Sequence, residues 1–169
     1  AGGGLAKRTL TKEGPHPLEE FQHCIDLNLI SAFNISRLVA SKMADNEPNE
    51  EGERGCIINT ASIAAFEGQI GQVGYSAAKA GIAGMTFVMA RDLGSVGIRA
   101  NAIAPSLFST GLTKGIPDEF ANALVKDAAF PKRMGEPKHY AIQAISIYEN
   151  AMMNGGTIRV DAGQRFAPK

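Results

Sequence analysis

Ile57-Ile58-Asn59-Thr60-Ala61-Ser62 is followed, after a glycine-punctuated loop, by Tyr75-Ser76-Ala77-Ala78-Lys79. Residues 57–61 are apolar and partly β-branched, which predicts a buried strand of a parallel sheet with Ser62 at its end. Strand ends are where such sheets hold their chemistry. The segment around Tyr75 is rich in alanine and predicts a helix. Residues four apart on a helix share one face, about 6 Å apart along the axis, so the Tyr75 phenol and the Lys79 ammonium point together.

That pairing suits proton transfer. A free tyrosine titrates near pH 10, and a nearby cation favours its phenolate. Bringing it close to neutrality takes roughly 4 kcal/mol, which a lysine together with a cationic cofactor ring would be able to supply where water is excluded. Ser62 would donate a hydrogen bond to the oxygen on which charge changes. The plain alternative is a half-buried Tyr75 with a polar tip and a snorkelling Lys79, and a bare Y-x-x-x-K does not separate the two.

The surroundings of the motif do. A strand ending in N-T-A-S, a thirteen-residue step from Ser62 to Tyr75, Y-S-A-A-K, and then Gly97-Ile98-Arg99-Ala100-Asn101-Ala102-Ile103-Ala104-Pro105 resemble the short-chain dehydrogenase/reductase family. Asn46-Glu47-Pro48, Ala64-Ala65-Phe66-Glu67-Gly68-Gln69 and Phe130-Pro131-Lys132-Arg133-Met134-Gly135-Glu136-Pro137 are closest to its branch acting on 3-hydroxyacyl-CoA thioesters. The resemblance implies an α/β fold, the C-terminal part of a Rossmann-type doubly wound parallel sheet. The expected content is three strands plus the stump of a fourth, with helices on both faces. Residues 1–169 then form a single incomplete domain whose first βαβ units are absent, because only Ala1-Gly2 remains of the family's N-x-A-G. Gly68, Gly71 and Gly74 do not replace the missing phosphate turn, since they read G-x-x-G-x-x-G and lead into the tyrosine helix; we read them as loop flexibility beside the substrate cleft.

Carried over residue by residue, the resemblance makes Tyr75 the general acid/base, Ser62 the group that orients the substrate oxygen, and Lys79 the residue that lowers the tyrosine pKa and binds the ribose. Asn28 completes a water relay through its backbone carbonyl. Without the resemblance, Asn28 reads equally as a helix–helix polar contact or as a kink amid Leu27, Leu29 and Ile30. Gly2, Pro105, Phe108 and Thr110, with Tyr75 and Lys79, are the expected cofactor-binding positions, and Gln72 and Leu112, with Ser62, the substrate-contacting ones. NAD is the expected cofactor, with NADP open. The implied reaction is hydride transfer between that cofactor and a secondary alcohol or ketone, foremost a 3-hydroxyacyl-CoA. Acetoacetyl-CoA or 3-oxoacyl-carrier-protein reduction, hydroxysteroid oxidation, and an inactive interaction piece are the alternatives. Ser106 stands where family members usually carry glycine, so the loop after Pro105 is expected to sit differently.

Composition fits that class. Hydrophobic residues make up 44% and charged ones 20%, and 17 basic residues balance 17 acidic ones, which gives no electrostatic argument for nucleic acid or a membrane surface. The charges are expected to be mostly solvated. No apolar run approaches the roughly 18 residues of a membrane span. Cys24 and Cys56 have no metal-type spacing and read as free thiols, no metal site is expected, and a reducing cytoplasm fits, or the mitochondrial matrix in a eukaryote.

Working outward, Leu5 to His16 reads as a polar surface connection, and residues 17–44 as one long helix opened by Pro17. Residues 44–55 are charged and read as an exposed loop. The helix at 72–93 is unusually smooth through Ala77, Ala78, Ala80, Gly81, Ala83 and Gly84; the resemblance implies that it and the preceding long helix build a homo-oligomer contact. Residues 97–104 read as the next strand. A segment with Leu107, Phe108, Leu112, Ile116, Phe120, Leu124 and Phe130 reads as a lid over an apolar substrate, with Lys114, Lys126, Lys132 or Arg133 at its rim for coenzyme A phosphates. A helix at 137–150, a strand at 156–160 and a surface tail after Asp161-Ala162-Gly163 complete the expectation.

Overall fold

The computed structural model describes residues 2–3, 6–111 and 117–167. Its centre is a parallel sheet in the order β3-β4-β5, with β3 at Gly55–Thr60, β4 at Ile98–Pro105 and β5 at Thr157–Val160. Ile57 pairs with Ala100 across the first junction and Ile103 with Ile158 across the second. Parallel neighbours need crossovers, and these hold the helices α3 (Val73–Gly94), α4 (Asp118–Leu124) and α5 (Pro137–Glu149). Before β3 come a two-residue antiparallel pair, β1 (Leu10–Thr11) and β2 (Gly14–Pro15), then α1 (Leu18–Ile25) and α2 (Ser31–Met43).

Both faces of the sheet are covered, and β4 shows how. Ile98, Ala100, Ala102 and Ala104 pack with Ala40 of α2 and Ile82, Met89 and Ala90 of α3. The intervening residues face the other way, as period-two alternation requires. Arg99 donates there to the carbonyls of Ile147 (2.7 Å) and Tyr148 (2.9 Å) in α5. Small residues on β4 let α3 lie close, which accounts for the alanine-rich sequence at the crossing.

The interruption expected at Asn28 in the helix at 17–44 takes the form of a π-turn at Asp26–Ile30, a wider turn within continuous helical backbone. Other expectations are corrected. The stump of a fourth strand is not seen among the described residues: Gly2 and Gly3 lie in no strand, and the Gly3 backbone bonds the Asn28 side chain instead. One pair stands apart from the mostly solvated charges: Arg99, 6% exposed, meets Glu53 at 2.7 Å and also reaches the Met153 carbonyl (2.8 Å). An ion withdrawn from water persists only with such partners. Two of the three glycines are held by close packing: a Cβ on Gly68 would collide with the Ser76 hydroxyl, and one on Gly74, already within α3, would meet Cys24 at 3.3 Å.

Among the described residues the apolar lid is not a continuous face: Phe130 is 85% exposed, Leu124 is 40% exposed, and Val125 and Ala128 turn inward. Leu112, Lys114 and Ile116, and the side chain of Phe120, lie outside what the structure describes. At the rim, Arg133 pairs with Glu136 at 3.3 Å and the Lys132 ammonium donates to the Lys126 carbonyl at 3.4 Å. The tail after Gly163 does not run over the surface either: Gln164 is 1% exposed, and its amide donates to the Leu124 carbonyl at 2.8 Å.

Both cysteines are free thiols, with Cys24 buried. Among the described residues no helix is long and apolar enough to cross a membrane, and no three His, Cys, Asp or Glu side chains converge as metal ligands would.

Candidate active site

The C-terminal end of β3 is tied down one residue at a time. Asn59 exchanges hydrogen bonds with Ser36 of α2 at 3.2 and 3.3 Å, and Thr60 meets the Tyr140 hydroxyl of α5 at 2.7 Å. Ala61 is buried, and its N–H donates to the Ile103 carbonyl at 2.8 Å. Ser62 is then extended, caps the 3₁₀ turn Ile63–Ala65, and accepts a hydrogen bond from the Ala64 N–H at 3.1 Å. Its hydroxyl is thus fixed where the strand stops.

Helix α3 brings up the partners. Lys79 is 7% exposed, and its ammonium donates to the Thr60 carbonyl at 2.8 Å. It lies 5.6 Å from the centre of the Tyr75 ring, within cation–π range. Burial pushes the Tyr75 phenol above the ordinary tyrosine value; a hydrogen bond from Ser62 pulls it down, and Cys24 adds to the rise. Burial likewise pushes the Lys79 ammonium below the ordinary lysine value, with Cys24 opposing. In this structure the Lys79 ammonium spends its hydrogen bond on the Thr60 carbonyl, and withdrawal of the phenol from water is the largest influence on Tyr75.

Asn28 is 3% exposed. Its amide donates to the Gly3 carbonyl at 2.7 Å and the Cys24 carbonyl at 2.9 Å, and its side-chain oxygen accepts from the Gly3 N–H at 3.2 Å. A Cβ on Gly2 would stand 3.0 Å from that oxygen and 4.0 Å from the Lys79 nitrogen. Gly2, Gly3, Asn28, Thr60, Tyr75 and Lys79 line a cleft of about 770 Å³ along the β3 edge. A second, smaller cleft of about 280 Å³ lies on the other side of Tyr75, with Ser62, Gln72, Ser106, Leu107 and Phe166 in its walls.

The structure thus brings Ser62, Tyr75, Lys79, Asn28, Gly2 and Gln72 together. Pro105 ends β4 opposite Val160, just before Ser106 and Leu107. Phe108 stands apart from the small cleft: a Cβ on Gly135 would meet its ring at 2.7 Å, so the ring lies on that backbone. Thr110 is exposed. Leu112 lies outside the described residues. Phe166 was missed, because an aromatic in a short tail carries no periodicity and its position depends on the turn before it.

With a parallel sheet and with Ser62, Tyr75 and Lys79 gathered at the end of β3, the chain belongs to the short chain dehydrogenase family, whose pattern it matches over residues 2–121. Within that family it is similar to 3-hydroxyacyl-CoA dehydrogenase type-2 of Bos taurus, at 51% identity over 99% of this chain and 65% of the relative. The chain therefore spans just under two thirds of that relative's length. The crystal structure of 3-hydroxyacyl-CoA dehydrogenase type-2 from Mycobacterium avium superposes with a TM-score of 0.97 at 44% identity, over 100% of this chain and 66% of the other. A 7α-hydroxysteroid dehydrogenase complexed with NADH and 7-oxo glycochenodeoxycholic acid gives a TM-score of 0.82 at 28% identity, over 99% and 62%.

Proposed function

We propose that the full-length protein holding this chain transfers a hydride between NAD(H) and a secondary alcohol or ketone, with 3-hydroxyacyl-CoA thioesters as its substrates. The observation that carries this reading is the meeting of Ser62, Tyr75 and Lys79 at the end of β3. The half-identical relatives that bear the dehydrogenase name support the substrate class.

The larger cleft suits a nicotinamide nucleoside. Its polar groups include the Lys79 ammonium, the Tyr75 phenol and the Asn28 carboxamide, donors that suit a ribose diol, and a side chain at Gly2 would intrude on Asn28. Lys79 and Tyr75 would hold the ribose. When bound, the nicotinamide ring supplies the hydride chemistry that no side chain here offers. Everything else belongs to the chain. Ser62 and Tyr75 hold the substrate oxygen between them. In oxidation Tyr75 takes the hydroxyl proton as the carbon–oxygen bond becomes a carbonyl; in reduction it returns that proton. Asn28 continues the proton path from Lys79, a role supported by the π-turn that takes residues 26–30 out of the ordinary helical ladder.

We also propose that copies associate through α2 and α3, whose Phe33, Leu38, Phe87 and Val88 are about half exposed. Apolar surface of that extent on adjoining helices favours a partner.

The substrate assignment is tested with kcat/KM values for 3-hydroxybutyryl-CoA, a hydroxysteroid, a carrier-protein thioester and a polyol, each with NAD and with NADP. The coenzyme A thioester with NAD should lead. A lead by the polyol or the carrier-protein thioester overturns the assignment.

A further inference from the structure

The small cleft beside Ser62 and Tyr75 is closed on one side by the end of the chain. Its volume, about 280 Å³, falls just below the roughly 300–1,000 Å³ usual for ligand pockets. Phe166 forms part of its wall together with Leu107, and the tail that carries Phe166 is pinned before and after it. Ala162 (φ 53°) and Gly163 (φ 69°) make a left-handed turn that sends the chain back toward the cleft. The buried Gln164 side chain then anchors to the Leu124 carbonyl, and the Gln164 carbonyl accepts from Arg159 at 3.1 Å. Beyond Phe166, the Ala167 carbonyl accepts from Gln69 at 3.5 Å. Arg159 in turn grips Glu67, through Nη1 at 3.0 Å and a second contact through Nη2, and bonds Asp161 at 2.6 Å. Glu67 and Gln69 belong to the loop that follows Ser62, so the tail is fastened to the segment that presents the serine hydroxyl.

We propose that Phe166 sets the upper size limit of the chain or ring that can stand beside the reacting carbon, with the Arg159–Glu67 pair as the clamp that holds it there. The proposal rests on the reading of Ser62 and Tyr75 as the reacting site. A wall held by polar contacts on both sides of a rigid ring cannot yield to a longer acyl chain without breaking them, so short 3-hydroxyacyl groups are favoured over long ones and over fused rings.

The test uses the full-length enzyme and its Phe166→Ala, Phe166→Leu and Glu67→Gln variants. Values of kcat/KM are taken for 3-hydroxybutyryl-CoA against 3-hydroxyoctanoyl-CoA and, separately, for butan-2-ol against octan-2-ol. Phe166→Ala should raise the long-to-short ratio about tenfold, the discrimination that a methylene or two carries in an apolar pocket. Glu67→Gln should move the ratio the same way. Phe166→Leu should raise it about threefold, and it decides the matter if the alanine variant fails to fold. Ratios within twofold of the parent in the folded variants overturn the proposal. A parent that oxidises the alcohols but neither thioester overturns the proposed function, while the alcohol ratio still decides Phe166; a parent inactive on both series overturns both.

Discussion

In the proposed reaction Tyr75 is the residue on which the chemistry turns, and its surroundings favour the protonated form, because burial raises the phenol above its ordinary value. Carbonyl reduction needs the neutral phenol and oxidation needs the phenolate. The sign follows directly: kcat/KM for oxidation should climb with pH through the alkaline range, while kcat/KM for reduction holds at lower pH and falls over the same interval. Paired pH profiles check this, and an oxidation rate that declines on going alkaline would be incompatible with Tyr75 as the base. The positions of Ser62, Tyr75 and Lys79 were legible in the sequence because a strand end and a four-residue helical step fix them locally. The direction of the phenol's shift was not, since it depends on how α1, α3 and the Ser62 turn close around it. Phe166 was hidden for the same reason: a turn at residues 162–163 decides where it lands.

At the scale of elements, the interruption in the long helix had a legible place and an illegible form. Asn28 among leucines signals an irregularity; only the packed structure shows a π-turn braced by Gly3 and Cys24. Replacing Asn28 by Ala leaves the Gly3 N–H and two carbonyls without their partner. The cost of such a loss is roughly 1–3 kcal/mol, or a fall in Tm of about 3–10 °C for a chain of this size. Thermal unfolding of Asn28→Ala measures it, and a Tm within 1 °C of the parent would mean that the amide braces nothing. Strand β4 was legible from its apolar run, whereas the burial of Arg99 within it was not. Nothing local announces that Glu53, from a charged loop, and four carbonyls near the end of α5 will surround that guanidinium.

For the whole molecule, the half-exposed Phe33, Leu38, Phe87 and Val88 give the association proposal its test. The full-length protein should sediment as a dimer or tetramer at micromolar concentration, and Phe33→Glu with Val88→Glu should release monomers by burying charge in the contact. A monomeric parent would refute association through α2 and α3. The central claim is that proton transfer by Tyr75 serves a 3-hydroxyacyl-CoA dehydrogenase. It is tested most directly by Tyr75→Phe in the full-length protein, with NAD binding measured by calorimetry and turnover measured on 3-hydroxybutyryl-CoA. The substitution deletes a proton while keeping the ring, so NAD affinity should stay within a few-fold while kcat falls by about a hundredfold or more, the usual contribution of a positioned acid/base. Turnover within tenfold of the parent would contradict the account.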